Sequence, residues 1–283
     1  MVIYNPKDWF TLIFKFHKSD TFRKLFWVMV AVGIYTGLVV YVELEILKVV
    51  NSSTSLMYQL LGFVISMLLV FRTNTAYDRW WEGRKLWGAL VNASRNLAIK
   101  VQTMVPEEAG NKHKFIGEIG DFANVLRWHL RGLKWDGLSI EVHQPNHLVA
   151  SMYAKLNGWL KNKHIDGDQM RVIESELSEL LDICGACERI KKTPIPYSYS
   201  IFIKKFIFAY VMTLPFGFVA EYGYGIIPIV IFTLYALASL ELIAEEIENP
   251  FGTDANDLPM DTLVETIKQN LMEIEGSGEE IRG

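Results

Sequence analysis

The sequence predicts an all-α integral membrane protein, with four transmembrane helices and a cytosolic helical region, and three observations predict it. Long uncharged apolar runs fall in two pairs, basic residues gather at one end of each pair, and the charged stretch between the pairs repeats its apolar residues at helical spacing. The chain has 283 residues, of which 51% are hydrophobic. That share is high for a soluble protein.

Leu25 to Val42 carries no charge, and at 1.5 Å per residue a helix over it is roughly 27 Å long, close to the hydrocarbon thickness of a bilayer. Val49 to Phe71 is a second uncharged run. From Phe206 to Leu240 the only charge is Glu221, which divides that stretch into Phe206–Ala220 and Tyr222–Leu240. Core helices of a soluble protein keep a polar face, whereas these segments are apolar all round. Charged residues Lys7, Asp8, Lys15, Lys18 and Asp20 precede the first run and no small-x-small cleavage site follows it, so it does not read as a cleaved signal peptide.

Orientation follows from the Lys and Arg residues, which are retained on the cytoplasmic side. Lys15, Lys18, Arg23 and Lys24 precede span one, Arg72, Arg79, Arg84 and Lys85 follow span two, and Lys191, Lys192, Lys204 and Lys205 precede span three. The opposite loops hold Glu43, Glu45, Lys48 and Glu221. Both termini are therefore expected in the cytosol of a multi-pass cell-membrane protein. The division expected is an interfacial segment at 1–24, hairpins at 25–71 and 206–240, a cytosolic helical region at 72–205 and a cytosolic C-terminal segment at 241–283.

In segment 1–20, Trp9, Phe10, Leu12, Ile13, Phe14 and Phe16 interleave with Lys15 and Lys18, which suits a helix on the membrane surface or one packed on the protein body. Between the hairpins, Leu86, Leu90, Ala93 and Leu97, and again Met170, Ile173, Leu177, Leu180, Leu181 and Cys184, repeat at three and four. Long cytosolic helices are predicted there, broken at Gly110, Pro145, Gly167 and the Pro194–Pro196 pair. Glu248-Asn249-Pro250-Phe251-Gly252 stops the helix after span four, and Met260 to Ile274 reads as an amphipathic helix.

Several function classes lack support. A net charge of −4 and the lack of a basic stripe with aromatics exclude a general nucleic-acid binder. No phosphate loop, His-Glu-x-x-His or nucleophile elbow is present, so neither an enzyme nor a cofactor is expected. Cys184 and Cys187 form a lone Cys-x-x-Cys that reads as two buried thiols. His143 and His147 are four apart, but Pro145 between them spoils the helical face a metal pair requires.

Span two is the informative element. Phe63, Met67 and Phe71 lie four apart along one face, and Gly62 and Ser66 form a small-x-x-x-small strip beside it. Ringed around an axis, such a face makes a narrow apolar throat that excludes ions by dewetting. The spacing fits equally a helix packed against spans one, three and four. Trp80, Trp81 and Trp87 fall among Arg79, Arg84 and Lys85, as in an interfacial belt, with Asp78 and Glu82 inside the cluster.

Three islands in order give this chain a resemblance to the bestrophin family, most closely its prokaryotic members. Phe71-Arg72-Thr73-Asn74-Thr75-Ala76-Tyr77-Asp78-Arg79-Trp80-Trp81-Glu82-Gly83 is similar to the segment after the second span. Cys184-Gly185 with Ile195-Pro196 resembles the approach to the third, and Asn249-Pro250-Phe251-Gly252 with acidic residues resembles the segment after the fourth. The resemblance implies a homopentamer around one pore, in a bacterial inner membrane, conducting monovalent ions. It makes Phe63, Met67 and Phe71 the hydrophobic neck. It also puts a cytosolic aperture on the helix ending at Cys184, with Leu177, Leu180 and Leu181 as candidates. Animal members bind calcium after the Asn-Pro-Phe-Gly segment, which here corresponds to Asn249, Asp254 and Asp257. Thr253 and Ala255 replace acids of that run, and Ca²⁺ takes six to eight oxygens, so an Asp-capped turn explains these residues more simply than a calcium site.

Animal members conduct anions and bacterial members cations. Here Glu43, Glu45 and Glu221 at the outer mouth, with Glu174, Glu176, Glu179 and Asp182 beside the aperture helix, favour cations. The alternatives are an anion channel of the same architecture and a non-conducting membrane scaffold or sensor.

Overall fold

A computed structural model describes residues 20–48, 55–134 and 143–280. The aromatic stretch before Asp20, the start of span two and the chain's last residues lie outside the described residues. Those described are helical, with no strand among them. The helices are α1 (Asp20–Tyr41), α2 (Ser55–Met104), α3 (Lys112–Leu130), α4 (Gln144–Lys161), α5 (Gly167–Lys192), α6 (Tyr197–Tyr222), α7 (Ile226–Glu248) and α8 (Met260–Glu280). The chain divides into two compact units, one of Val2–Arg79 with Pro194–Glu248, the other of Trp80–Thr193 with Asn249–Gly283. Helix α2 contributes to both.

The first unit packs α1 against α7 and α6, and α6 against α7. Its core is aliphatic: Met29, Val32, Ile65, Leu69, Ile207, Val211 and Val230 are buried. Among the described residues, three helical stretches are long and apolar enough to cross a membrane, Thr21–Leu47, Leu56–Met104 and Tyr197–Glu248. The last comprises α6, a 3₁₀ turn at Gly223–Gly225 and α7. Gly223, at φ 51°, takes a left-handed conformation that costs glycine little, and α6 ends there. Helix α1 runs on into a π-helical segment at Val42–Leu47 that carries Glu43 and Glu45 and stops at Lys48 in the left-handed region. The Tyr35 hydroxyl donates to the Met212 carbonyl at 3.0 Å, fastening α1 to α6 one turn before Pro215.

An ionic knot lies inside this unit. Arg72 is 1% exposed; its Nη2 donates to Glu248 Oε2 at 2.7 Å, and its Nε lies 3.5 Å from Glu241 Oε2. Glu248 Oε1 accepts the Ile195 amide at 2.7 Å. Arg79 Nε donates to the Glu248 carbonyl at 3.0 Å. One guanidinium thus joins α2 to two acids of α7, and Glu248 in turn holds the chain entering α6.

The second unit encloses an apolar core in which Trp87, Leu90, Leu97, Phe115, Phe122, Met152, Leu177, Leu180 and Phe251 are buried. Helix α3 packs on α4, α5 and α8, and α4 on α5. The predicted breaks have local causes. Asp166 caps α5 through its side chain and Gln169 completes the capping box, satisfying amides that a helix start leaves open. His143 caps α4, with Pro145 in the first turn, where its missing N–H costs nothing. Lys155 Nζ pairs with Glu118 at 2.6 Å and 2.7 Å, and Arg131 with Asp261 at 2.7 Å.

Two of the sequence islands meet in this second unit. A Cβ at Gly83 would lie 3.2 Å from Pro250 Cγ and from the Phe251 ring, so glycine permits the turn after α7 to approach α2. Trp80 Nε1 donates to the Asn256 carbonyl at 3.0 Å.

Truncating one partner of a buried ion pair strands the other charge, at a cost of about 3–5 kcal/mol. Arg72→Ala is expected to lower the melting midpoint of the detergent-solubilised protein sharply, and Arg72→Lys to recover only part of it. A midpoint unchanged from wild type in Arg72→Ala disproves the role given to this knot.

Candidate pore face and helix-stop turn

The geometry of α2 follows from which of its faces its own chain covers. Ile65, Leu69, Arg72 and Ala76 are buried at alternating spacings of four and three, one continuous stripe on a helix. At about 100° per residue, Met67 points about 160° away from both Ile65 and Leu69. Phe63, Met67 and Phe71 are 67%, 46% and 56% exposed, so the row is not packed against the other helices of the same chain. Val64 and Val70 widen the uncovered face, and the row continues toward the C-terminal end of α2 through Thr75 and Asp78, both exposed. Uncovered apolar surface of this kind marks contact with lipid or with another protein.

Gly62 and Ser66 serve the chain itself. A Cβ at Gly62 would fall 2.6 Å from the Tyr210 hydroxyl, so the small residue admits a tyrosine of α6. The Ser66 hydroxyl donates to the Gly62 carbonyl at 2.8 Å.

The three leucines expected at a cytosolic aperture lie in or against the core of the second unit. Leu177 and Leu180 are fully buried, and Leu181 is partly buried against the same core. Their spacing marks the face of α5 that packs into the second unit, so the side chains of Leu177 and Leu180 line no surface of the protomer. The outward face carries Val172, Ser175, Glu179 and Asp182. Two of the four acids counted toward a negative aperture are engaged within the unit. Glu174 accepts from Tyr153 at 3.1 Å and Ser178 at 2.9 Å, and Glu176 pairs with Lys100 at 2.6 Å.

At the helix-stop turn, Asn249 and Asp254 are exposed while Asp257 is buried. Asp257 Oδ2 accepts the Asp254 amide at 2.6 Å, its own amide donates back to the Asp254 carbonyl at 3.1 Å, and the Leu258 amide closes on the Pro250 carbonyl at 2.9 Å. The Asp257 carboxylate is thus turned toward the turn's own backbone, the behaviour of a capping aspartate.

Burial pushes the Cys184 thiol up to about 12 and raises that of Cys187 further. Both stay protonated and serve as packing groups. The residues missed by hydropathy are Arg72 and Glu241. Each stands directly after an uncharged run, where a charge reads as an interfacial marker, and the available signal was that each is a single opposite charge at the end of its own span.

The sequence pattern of the family described as Bacterial/Fungal Bestrophin protein matches residues 1–273. A voltage-dependent anion channel-forming protein of Nostoc is 36% identical over 246 residues, covering 78% of each chain. The voltage-dependent anion channel-forming protein YneE of Escherichia coli is 30% identical over 297 residues, covering 99% of this chain and 95% of its own. The crystal structure of a bacterial bestrophin homologue from Klebsiella pneumoniae superposes with a TM-score of 0.82 at 24% identity, over 89% of this chain and 98% of that one. It shares the fold. Match length, identity and fold agree, and the chain belongs to the bacterial and fungal bestrophin family.

Proposed function

We propose that this chain is the pore-forming subunit of a homopentameric ion channel, crossing a bacterial inner membrane four times with both termini in the cytosol. One observation carries the reading: the Phe63, Met67 and Phe71 row is uncovered and lies opposite the stripe that α2 buries in its own protomer. Five such rows around an axis form a hydrophobic neck, with Met67 as a flexible thioether at mid-height. Helices α6 and α7, joined by the Gly223–Gly225 turn, make the third and fourth crossings.

For the permeant ion we favour anions, because the relatives from Nostoc and Escherichia coli are named for anion channels. Glu174 and Glu176 no longer count toward a cation-concentrating vestibule, since both are engaged inside the second unit. The cation reading retains a specific observation of its own: Asp78 continues the neck row, and Glu179 and Asp182 are exposed on α5. Fivefold repetition of those carboxylates draws cations.

Under a salt gradient across a planar bilayer, the reversal potential of the purified protein is expected to move toward the chloride equilibrium value. A shift toward the cation value assigns the pore to the Asp78 and Glu179 reading instead. Replacing Phe63, Met67 and Phe71 together with Ala removes the dewetting barrier. Each ~1.4 kcal/mol taken from it raises flux about tenfold, so liposome efflux should rise by about that factor or more, and unchanged efflux removes the neck from this row. Purified particles are expected to show fivefold symmetry with α2 innermost; another symmetry, or α2 at the periphery, overturns the assembly.

A further inference from the structure

Three side chains of the second unit converge from separate elements: His129 in the last turn of α3, His143 at the N-cap of α4, and Glu188 in the last turns of α5. His129 Nε2 lies 2.6 Å and His143 Nε2 2.5 Å from the same Glu188 oxygen, Oε1. The two imidazole centroids are 4.6 Å apart, and all three donor atoms fall within 4.8 Å of one another. We infer that His129, His143 and Glu188 form a binding site for a divalent transition-metal ion, Zn²⁺ foremost.

Two imidazole nitrogens and one carboxylate oxygen are a donor set that suits Zn²⁺ and its neighbours over the hard Ca²⁺ and Mg²⁺. Tetrahedral ligation at 2.0–2.2 Å separates donor atoms by about 3.3 Å, so the present contacts open by under about 1 Å to admit the ion. The three side chains are partly exposed, which gives the ion a route from solvent and leaves the fourth position to water. Cys184, one turn before Glu188, is buried and protonated and is not a donor. His147 is not among the converging groups. The partner of His143 is a histidine from α3, which Pro145 does nothing to prevent.

Burial lowers the pKa of His129, the hydrogen bond with Glu188 opposes the shift, and the neighbouring His143 and Lys191 add to it. Burial alone would raise Glu188, but hydrogen bonds from Lys192, His143 and His129 hold it at about 2. Metal binding requires the Nε2 lone pair of each ring, so a proton held at Nε2 must move to Nδ1. At His143 this gives up a 3.3 Å contact in which Nδ1 accepts the Asn146 amide. Two cations oppose the ion: Lys192 Nζ sits 2.9 Å from Glu188 Oε2, and Lys191 Nζ donates to the His129 carbonyl at 3.2 Å. Once bound, the metal ties three helix ends together, and stabilisation rises with its concentration.

The test uses the full-length, tag-free protein in detergent, with Co²⁺ as a coloured probe and Zn²⁺ as competitor. One Co²⁺ per chain should bind with a visible ligand-field band, and Zn²⁺ should displace it. His129→Ala with His143→Ala, and separately Glu188→Gln, should weaken binding at least about tenfold, while Lys192→Ala tightens it. The absence of the band, or equal affinity in the double variant, overturns the site. Because a variant that unfolds would also lose binding, X-ray absorption at the zinc edge of the wild-type protein is the independent measurement. A nitrogen and oxygen shell with imidazole scattering is expected, and sulfur ligation or no imidazole overturns the assignment.

Discussion

Arg72 is the residue on which the arrangement of the first unit depends. Its guanidinium is buried among apolar helices and faces two carboxylates, Glu241 and Glu248, one close and one at 3.5 Å. A charge in such a place is tolerated only when paired. The pairing therefore dictates which face of α2 turns inward. Ile65, Leu69 and Ala76 share the stripe that Arg72 defines, and every residue half a turn away is committed to the outside. The Phe63, Met67 and Phe71 row owes its exposure to this choice as much as to its own apolar character. A helix so apolar could otherwise bury almost any face, since its hydrophobicity is nearly uniform around the axis.

Glu248 extends the constraint. One carboxylate oxygen receives Arg72, the other receives the Ile195 amide, and its carbonyl receives Arg79. The Pro194–Pro196 pair removes two backbone donors ahead of α6, and an amide left between them needs an acceptor. Glu248 supplies it. Within the second unit the contacts of Trp80 and Gly83 on α2 with the turn following α7 explain why one sequence island holds a tryptophan and a glycine and the other an Asn-Pro-Phe-Gly stop. Each is one half of a contact whose other half lies far along the chain.

The same logic explains where sequence reading fell short on α5. Leu177, Leu180 and Leu181 were legible as a helical apolar row, and a row of that kind belongs either to a pore or to a core. Burial of Ile173, Leu177, Leu180 and Cys184 together places it in the core. Polar residues such as Glu179 and Asp182 take the outward face, and periodicity cannot choose between those outcomes because it reports a face without its neighbour. His129, His143 and Glu188 were illegible for a plainer reason: three separate elements supply them, and only folding makes them neighbours.

The helical class, the apolar runs and their basic flanks, and the breaks at proline and glycine were all legible in the sequence, since each follows from interactions within a few residues or from transfer into a bilayer. Its islands also sufficed to indicate the family. Tertiary structure decided which face of each helix is covered, which acids are already engaged, and which buried charge meets which. Those outcomes depend on pairs such as Arg72 with Glu248 and Gly83 with Phe251, separated along the chain and joined only when desolvation forces each polar group to find a partner and each helix to find a surface that fits.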